Sequence, residues 1–170
     1  MRTLLLLLII TGMIYAQEQY QITLDEKTGR QMIVGQCTRD AFLDTAFVWW
    51  YNSNYEMYEP DKDFISKIKS ELTDIHITIV MATWCGDTRR EVPRFLKILD
   101  QINFPENNYS LICVDRKRKG LQDEVDDLDI QLVPTFIFYE GENEIGRIIE
   151  TPQTTLEEDF YSVISPGKEN

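Results

Sequence analysis

Residues 75–81, Ile-His-Ile-Thr-Ile-Val-Met, form a mostly apolar, β-branched run, the mark of a strand buried on both faces. Such a strand needs neighbours on either edge and covering layers above and below. The flanking pattern agrees. Residues 61–72 place Phe64, Ile65, Ile68 and Leu72 at helical spacing, and a helix beginning near Cys85 carries Val92, Phe95, Leu96 and Leu99 on one side. Pro93 lies inside that helix and is expected to bend it or limit its first turns, because proline removes a backbone donor. A second buried strand is expected at 109–114 and a short acidic helix at 121–128. Strands at 135–139 and 144–150 are joined by Glu140-Gly141-Glu142-Asn143, and a closing helix spans 156–164.

The chain of 170 residues suits one domain with its own core. Residues 1–16 are expected to be a removable signal peptide: Arg2 supplies a positive start, 4–10 an uninterrupted apolar run, and Ala16 a small residue at the cleavage point. The apolar run is short of the ~20 residues a spanning helix needs, so no membrane insertion is expected after cleavage. Residues 17–59 read as an extension packed on the main domain, which spans 60–170. In the extension, 20–24 and 31–34 form a hairpin around Asp25-Glu26-Lys27-Thr28-Gly29-Arg30, and a strongly aromatic helix spans 41–51. That helix is either buried against the core or an exposed peptide-binding surface. The net charge of -12 makes nucleic acid and anionic membranes poor partners.

Export to the periplasm or beyond would place Cys37, Cys85 and Cys113 where disulfides persist, and an odd count leaves at least one thiol free, externally paired or reactive. Their spacing contains no close pair and His76 is the sole histidine, so no metal site is expected. Cys85 is the candidate nucleophile. At a helix N-terminus, unpaired N–H groups and the helix dipole favour thiolate over thiol; Arg89 and Arg90 add positive charge, while Asp87 opposes it.

The order of elements, with Trp84-Cys85-Gly86 between strand and helix and Val133-Pro134-Thr135 before a later strand, resembles the thioredoxin superfamily over about 60–164. Trp84-Cys85-Gly86-Asp87-Thr88 followed by Arg90-Glu91-Val92-Pro93-Arg94-Phe95 is similar to a group of exported bacterial thioredoxin-like proteins. The resemblance implies an α/β thioredoxin fold, a central mixed sheet flanked by helices, here with an N-terminal hairpin-helix extension. It also implies that Pro134 is cis and lies against Cys85, with backbone near Val133 free to pair with an extended substrate beside Trp84, Gly86 and Asp87.

Thr88 stands where a second, resolving cysteine is expected. By the same resemblance its hydroxyl would donate to the Cys85 sulfur; alternatively it caps the helix. The buried acid of the dithiol members falls on Ile79 and its lysine partner near Leu111, so both proton-transfer groups are absent. A Cys85–His76 hydrolase is excluded by reach: at ~3.3 Å per residue the histidine lies roughly 20 Å away, at the other end of its strand. Cys113 reads as an inert core thiol, and Cys37, in the turn Gly35-Gln36-Cys37-Thr38, as the one plausible internal resolving thiol. The expected activity is monothiol thiol–disulfide exchange with protein or small-molecule thiols and disulfides, without cofactor, resolved by an external thiol or by Cys37. The alternative is a non-catalytic thioredoxin-like module that binds peptide or protein.

Overall fold

The structure, a computed structural model, describes residues 19–167. The proposed signal segment at 1–16 lies outside the described residues. Six strands form one sheet in the order β1-β2-β4-β3-β5-β6. They are β1 (Gln19–Leu24), β2 (Gln31–Cys37), β3 (Ile75–Met81), β4 (Tyr109–Cys113), β5 (Thr135–Glu140) and β6 (Asn143–Ile149). β3 pairs in parallel with β4 and antiparallel with β5, and every residue of β3 except His76 is buried, as its composition predicts. The hairpin is present and continues further than expected: β2 runs on to Cys37 and pairs antiparallel with β4. This removes β4 as an exposed edge and builds the hairpin into the same sheet as the rest.

Four α-helices, α1 (Val48–Met57), α2 (Lys62–Glu71), α3 (Gly86–Ile102) and α4 (Leu156–Ile164), contribute to one apolar cluster with Ile33, Ile77, Ile79, Met81, Phe136 and Phe138 of the sheet. Its centre is aromatic: Phe95 lies 4.4 Å from Phe136 and 5.5 Å from Phe160 between ring centroids. Each such ring contributes about 1.5–3 kcal/mol through burial. A smaller cluster of Val80, Ala82, Ile112, Val114, Val125 and Val133 packs with Trp84 and Cys85. Alternation along β3 separates the two, since Ile79 and Met81 join the larger cluster and Val80 the smaller.

The caps explain where the helices start and stop. Asp61 accepts from the N–H groups of Asp63 and Phe64 to open α2, and Thr155 accepts from Glu158 N–H to open α4. α3 continues through Pro93 and ends at Asn103, a left-handed residue at φ 57°, as Phe104 N–H returns to the Leu99 carbonyl at 2.8 Å.

Two expected helices are corrected. Residues 41–51 do not form one helix: a 3-10 turn at Arg39–Leu43 ends at Asp44, and α1 begins only at Val48. Asp44 breaks the run because its carboxylate accepts from Ala46 N–H at 2.8 Å while its extended backbone turns the chain. Residues 121–128 form turns. Their bonds run Asp126 N–H to the Asp123 carbonyl and Leu128 N–H to the Val125 carbonyl, and Val125 is the segment's one fully buried apolar side chain. One buried anchor is too little to offset the cost of ordering so short a helix.

Candidate active site

Cys85 is the N-cap residue of α3, delivered there by a tight turn in which its N–H bonds the Ala82 carbonyl at 2.8 Å. The side chain is half-buried, and its Sγ donates to the Val133 carbonyl at 3.3 Å. The following peptide, Val133-Pro134, is cis. A lone sulfur at a helix N-terminus thus faces the backbone of a segment 48 residues away in sequence.

Trp84 is fixed by its indole N–H, which donates to the Val114 carbonyl at 3.1 Å. The guanidinium of Arg116 lies 4.4 Å from the Trp84 ring centroid, a cation–π contact, and is clamped by Asp25 through bonds of 2.9 and 2.6 Å. Asp25 sits in the β1–β2 turn, and the Arg116 and Thr28 hydrogen bonds hold its carboxyl well below the usual carboxylate range, against the opposing effect of burial. The hairpin therefore reaches the site through Asp25 and Arg116, a link that sequence inspection missed. The one local signal was an aspartate able to close its own turn; its partner is 91 residues away.

Arg89 donates from Nε to the Thr83 carbonyl at 2.7 Å and is in electrostatic reach of Cys85. Asp87, expected to oppose a thiolate, is paired with Arg90 at 2.7 Å. Gly86 is the first residue of α3 and is exposed. Thr88 does not take the predicted part. It is fully buried, and its hydroxyl oxygen accepts from Ala82 N–H at 3.2 Å, so it secures the strand-to-helix turn from within.

Cys37 is also placed elsewhere. It is buried in the larger cluster with its Sγ 3.7 Å from that of Cys113, whereas Cys85 packs with the smaller cluster. The role of resolving thiol for Cys85 is therefore withdrawn. The physical reason is register: Cys37 pairs with Leu111 and Gly35 with Cys113, which brings Cys37 diagonally beside Cys113. Cys113 is fully buried, and the hydrogen bond with Cys37, followed by burial, pushes its thiol up.

Ile79 and Leu111 are paired in register and buried, so apolar side chains fill the positions where dithiol relatives keep proton-transfer groups. His76 lies opposite Tyr139 near the start of β3, away from Cys85, and burial lowers its pKa. Among the described residues no group of three or more His, Cys, Asp or Glu could hold a metal ion, and no helix is long and apolar enough to cross a membrane.

A strand, a cysteine at the following helix N-terminus and a facing cis-proline within a mixed sheet define a thioredoxin-like domain. The family model described as thioredoxin matches residues 46–160, more than half of the chain, and the chain belongs to that family. It is 25% identical over 95 residues to a thioredoxin-like protein of Acanthamoeba polyphaga mimivirus, a match covering 56% of this chain and 66% of that protein. In fold it is similar to a protein of unknown function from Pseudomonas aeruginosa, with a TM-score of 0.52 at 14% identity, covering 77% of this chain and 90% of that one. An HIV epitope scaffold is similar to the same degree, with a TM-score of 0.52 at 14% identity over 77% of this chain and 82% of the scaffold.

Proposed function

We propose that the protein carries out thiol–disulfide exchange with Cys85 as its sole nucleophile. The observation that carries this reading is the placement of Cys85 Sγ, half-buried at the N-terminus of α3 and 3.3 Å from the Val133 carbonyl beside cis-Pro134. The Cys85 thiolate attacks one sulfur of a substrate disulfide; a Cys85–substrate S–S bond forms, the original S–S bond breaks, and the other half leaves as a thiolate. An extended substrate lies along Val133 and Pro134 while the mixed disulfide persists. Thr88 cannot resolve it and Cys37 is turned toward Cys113, so an external thiol attacks the substrate sulfur of the mixed disulfide: an S–S bond forms between the external thiol and the substrate half, the Cys85–substrate bond breaks, and Cys85 leaves as the thiolate. The N-terminal apolar run supports export, and the periplasm or the exterior as the place of work.

Replacement of Cys85 by serine tests the reading. Exchange with bis(2-hydroxyethyl) disulfide is expected to fall at least about 100-fold in Cys85→Ser, since a hydroxyl is a far poorer nucleophile than a thiolate. An unchanged rate, or none in the unaltered protein, would reject it. A second reading, a peptide-binding module without turnover, is favoured by Ile79 and Leu111 alone. It predicts equal capture of an extended peptide by the unaltered protein and Cys85→Ser.

A further inference from the structure

In a chain of net charge -12, most arginines with a defined environment lie on a carboxylate: Arg39 on Asp100, Arg90 on Asp87 and Glu91, Arg116 on Asp25 and Arg147 on Glu144. Among the described residues, Arg30, Arg89 and the exposed turn residue Arg118 have no such partner, and of these Arg30 and Arg89 come together. Arg30 is exposed at the end of the β1–β2 turn, next to Gly29 at φ 67°. Arg89 spends its Nε on the Thr83 carbonyl, which leaves its two terminal nitrogens for other contacts. Both line one cleft, together with Gln31, Ala46, Phe47 and Trp49. Trp49 is 62% exposed although the adjacent Trp50 is buried, so a large ring stands at the cleft without a covering layer. Burial, then repulsion from Arg30 and later Arg116, weakens the hold of Arg89 on its proton. Two guanidinium groups kept within mutual repulsion in so acidic a chain are poised for an anion.

Cys85 does not itself line the cleft, but Arg89 connects the two, since its guanidinium is within electrostatic reach of Cys85. Arg89 is one helical turn beyond Cys85, and its backbone N–H bonds the Cys85 carbonyl at 3.2 Å. We propose that the cleft holds a carboxylate on Arg30 and Arg89 and an apolar or aromatic body against Ala46 and Trp49, making the substrate of Cys85 an anionic disulfide. This rests on the exchange reading above. A carboxylate can accept from both guanidinium groups at once, and the ring face of Trp49 takes the adjoining apolar surface. Elsewhere the negative surface repels such a molecule, so the arginines also orient its approach. The reaction balances as before: the Cys85–substrate S–S bond forms, the original one breaks, and the anionic half leaves as a thiolate with no outside electron donor.

The test compares 4,4′-dithiodibenzoate with its neutral diamide, each rate divided by that of 2-mercaptoethanol with the same disulfide. The normalised preference for the dicarboxylate is expected to be at least about 10-fold in the unaltered protein, to shrink as salt is added, and to approach one in Arg30→Gln/Arg89→Gln. The ratio is the readout because loss of a cation near Cys85 can slow both reactions. Arg30→Gln alone, at an exposed turn residue, is expected to lower the preference at least threefold. In parallel, 4-(methylthio)benzoate, which has no disulfide, is expected to quench tryptophan fluorescence saturably in the unaltered protein and in Cys85→Ser, and not in Trp49→Phe or the double arginine variant. Absence of saturable quenching, or quenching indifferent to the arginines, overturns the anion site. A preference equal in all variants overturns its part in substrate choice. Arginine-dependent quenching without any disulfide reaction sinks the exchange reading and leaves the anion site standing.

Discussion

Thr88 lies three residues beyond Cys85, buried, with its hydroxyl oxygen on the Ala82 N–H. Thr88→Val keeps the volume and removes that acceptor, leaving a buried donor unpaired. The expected cost in denaturant unfolding is about 1–3 kcal/mol, with exchange at Cys85 retained; loss of exchange in a folded variant would mean that Thr88 acts on the sulfur directly. Cys85 itself was legible in the sequence because its surroundings are local: a buried strand, a three-residue turn and an amphipathic helix define its position without reference to distant segments. Cys37 was not legible in the same way. Its neighbour depends on the register of β2 against β4, and Cys113 is 76 residues away. The clamp of Arg116 by Asp25 has the same cause, since each side chain alone reads as an ordinary charged turn residue.

At the scale of elements, β3, α2 and α4 match what composition and spacing predict, because each has a repeating apolar face bounded by a capping residue or a turn. The 41–51 segment misled because aromatic content is high on all sides and periodicity says nothing about where Asp44 stops the run. The segment from Arg39 to Tyr58 is then held to α3 and α4 by polar anchors as well as packing. Tyr55 donates to Asp100 at 2.5 Å, Arg39 bonds the same carboxylate at 2.8 Å, and Tyr58 donates to the buried Glu157. Burial, then the Asp100 hydrogen bond, pushes the Tyr55 hydroxyl up to about 12, and burial with Glu157 raises Tyr58 further. Both folded-state values exceed the ordinary ~10, so their contribution to stability is full below pH ~10 and is lost as pH rises through about 12. The thermal midpoint is expected to fall across that window, and to fall less in Tyr55→Phe/Tyr58→Phe. An identical fall in the variant would assign the alkaline loss to other groups.

At the scale of the whole molecule, the site is assembled from parts that are far apart in sequence: the hairpin turn at Asp25, the start of α3 at Cys85, the end of β4 leading to Arg116, and the cis peptide before β5. One sheet of six strands holds them in place, and two of those strands come from the segment before residue 59. The same sheet directs Cys37 and Cys113 into the larger cluster and leaves Cys85 with the smaller one. The sheet thus gives three identical side chains different surroundings, and the proposed exchange falls to Cys85 alone. Mass mapping of the native protein after brief reaction with bis(2-hydroxyethyl) disulfide and alkylation tests this assignment most directly. One mercaptoethanol adduct per chain, carried by Cys85, is the predicted result; an adduct on Cys37 or Cys113, or a Cys37–Cys85 disulfide, would contradict it.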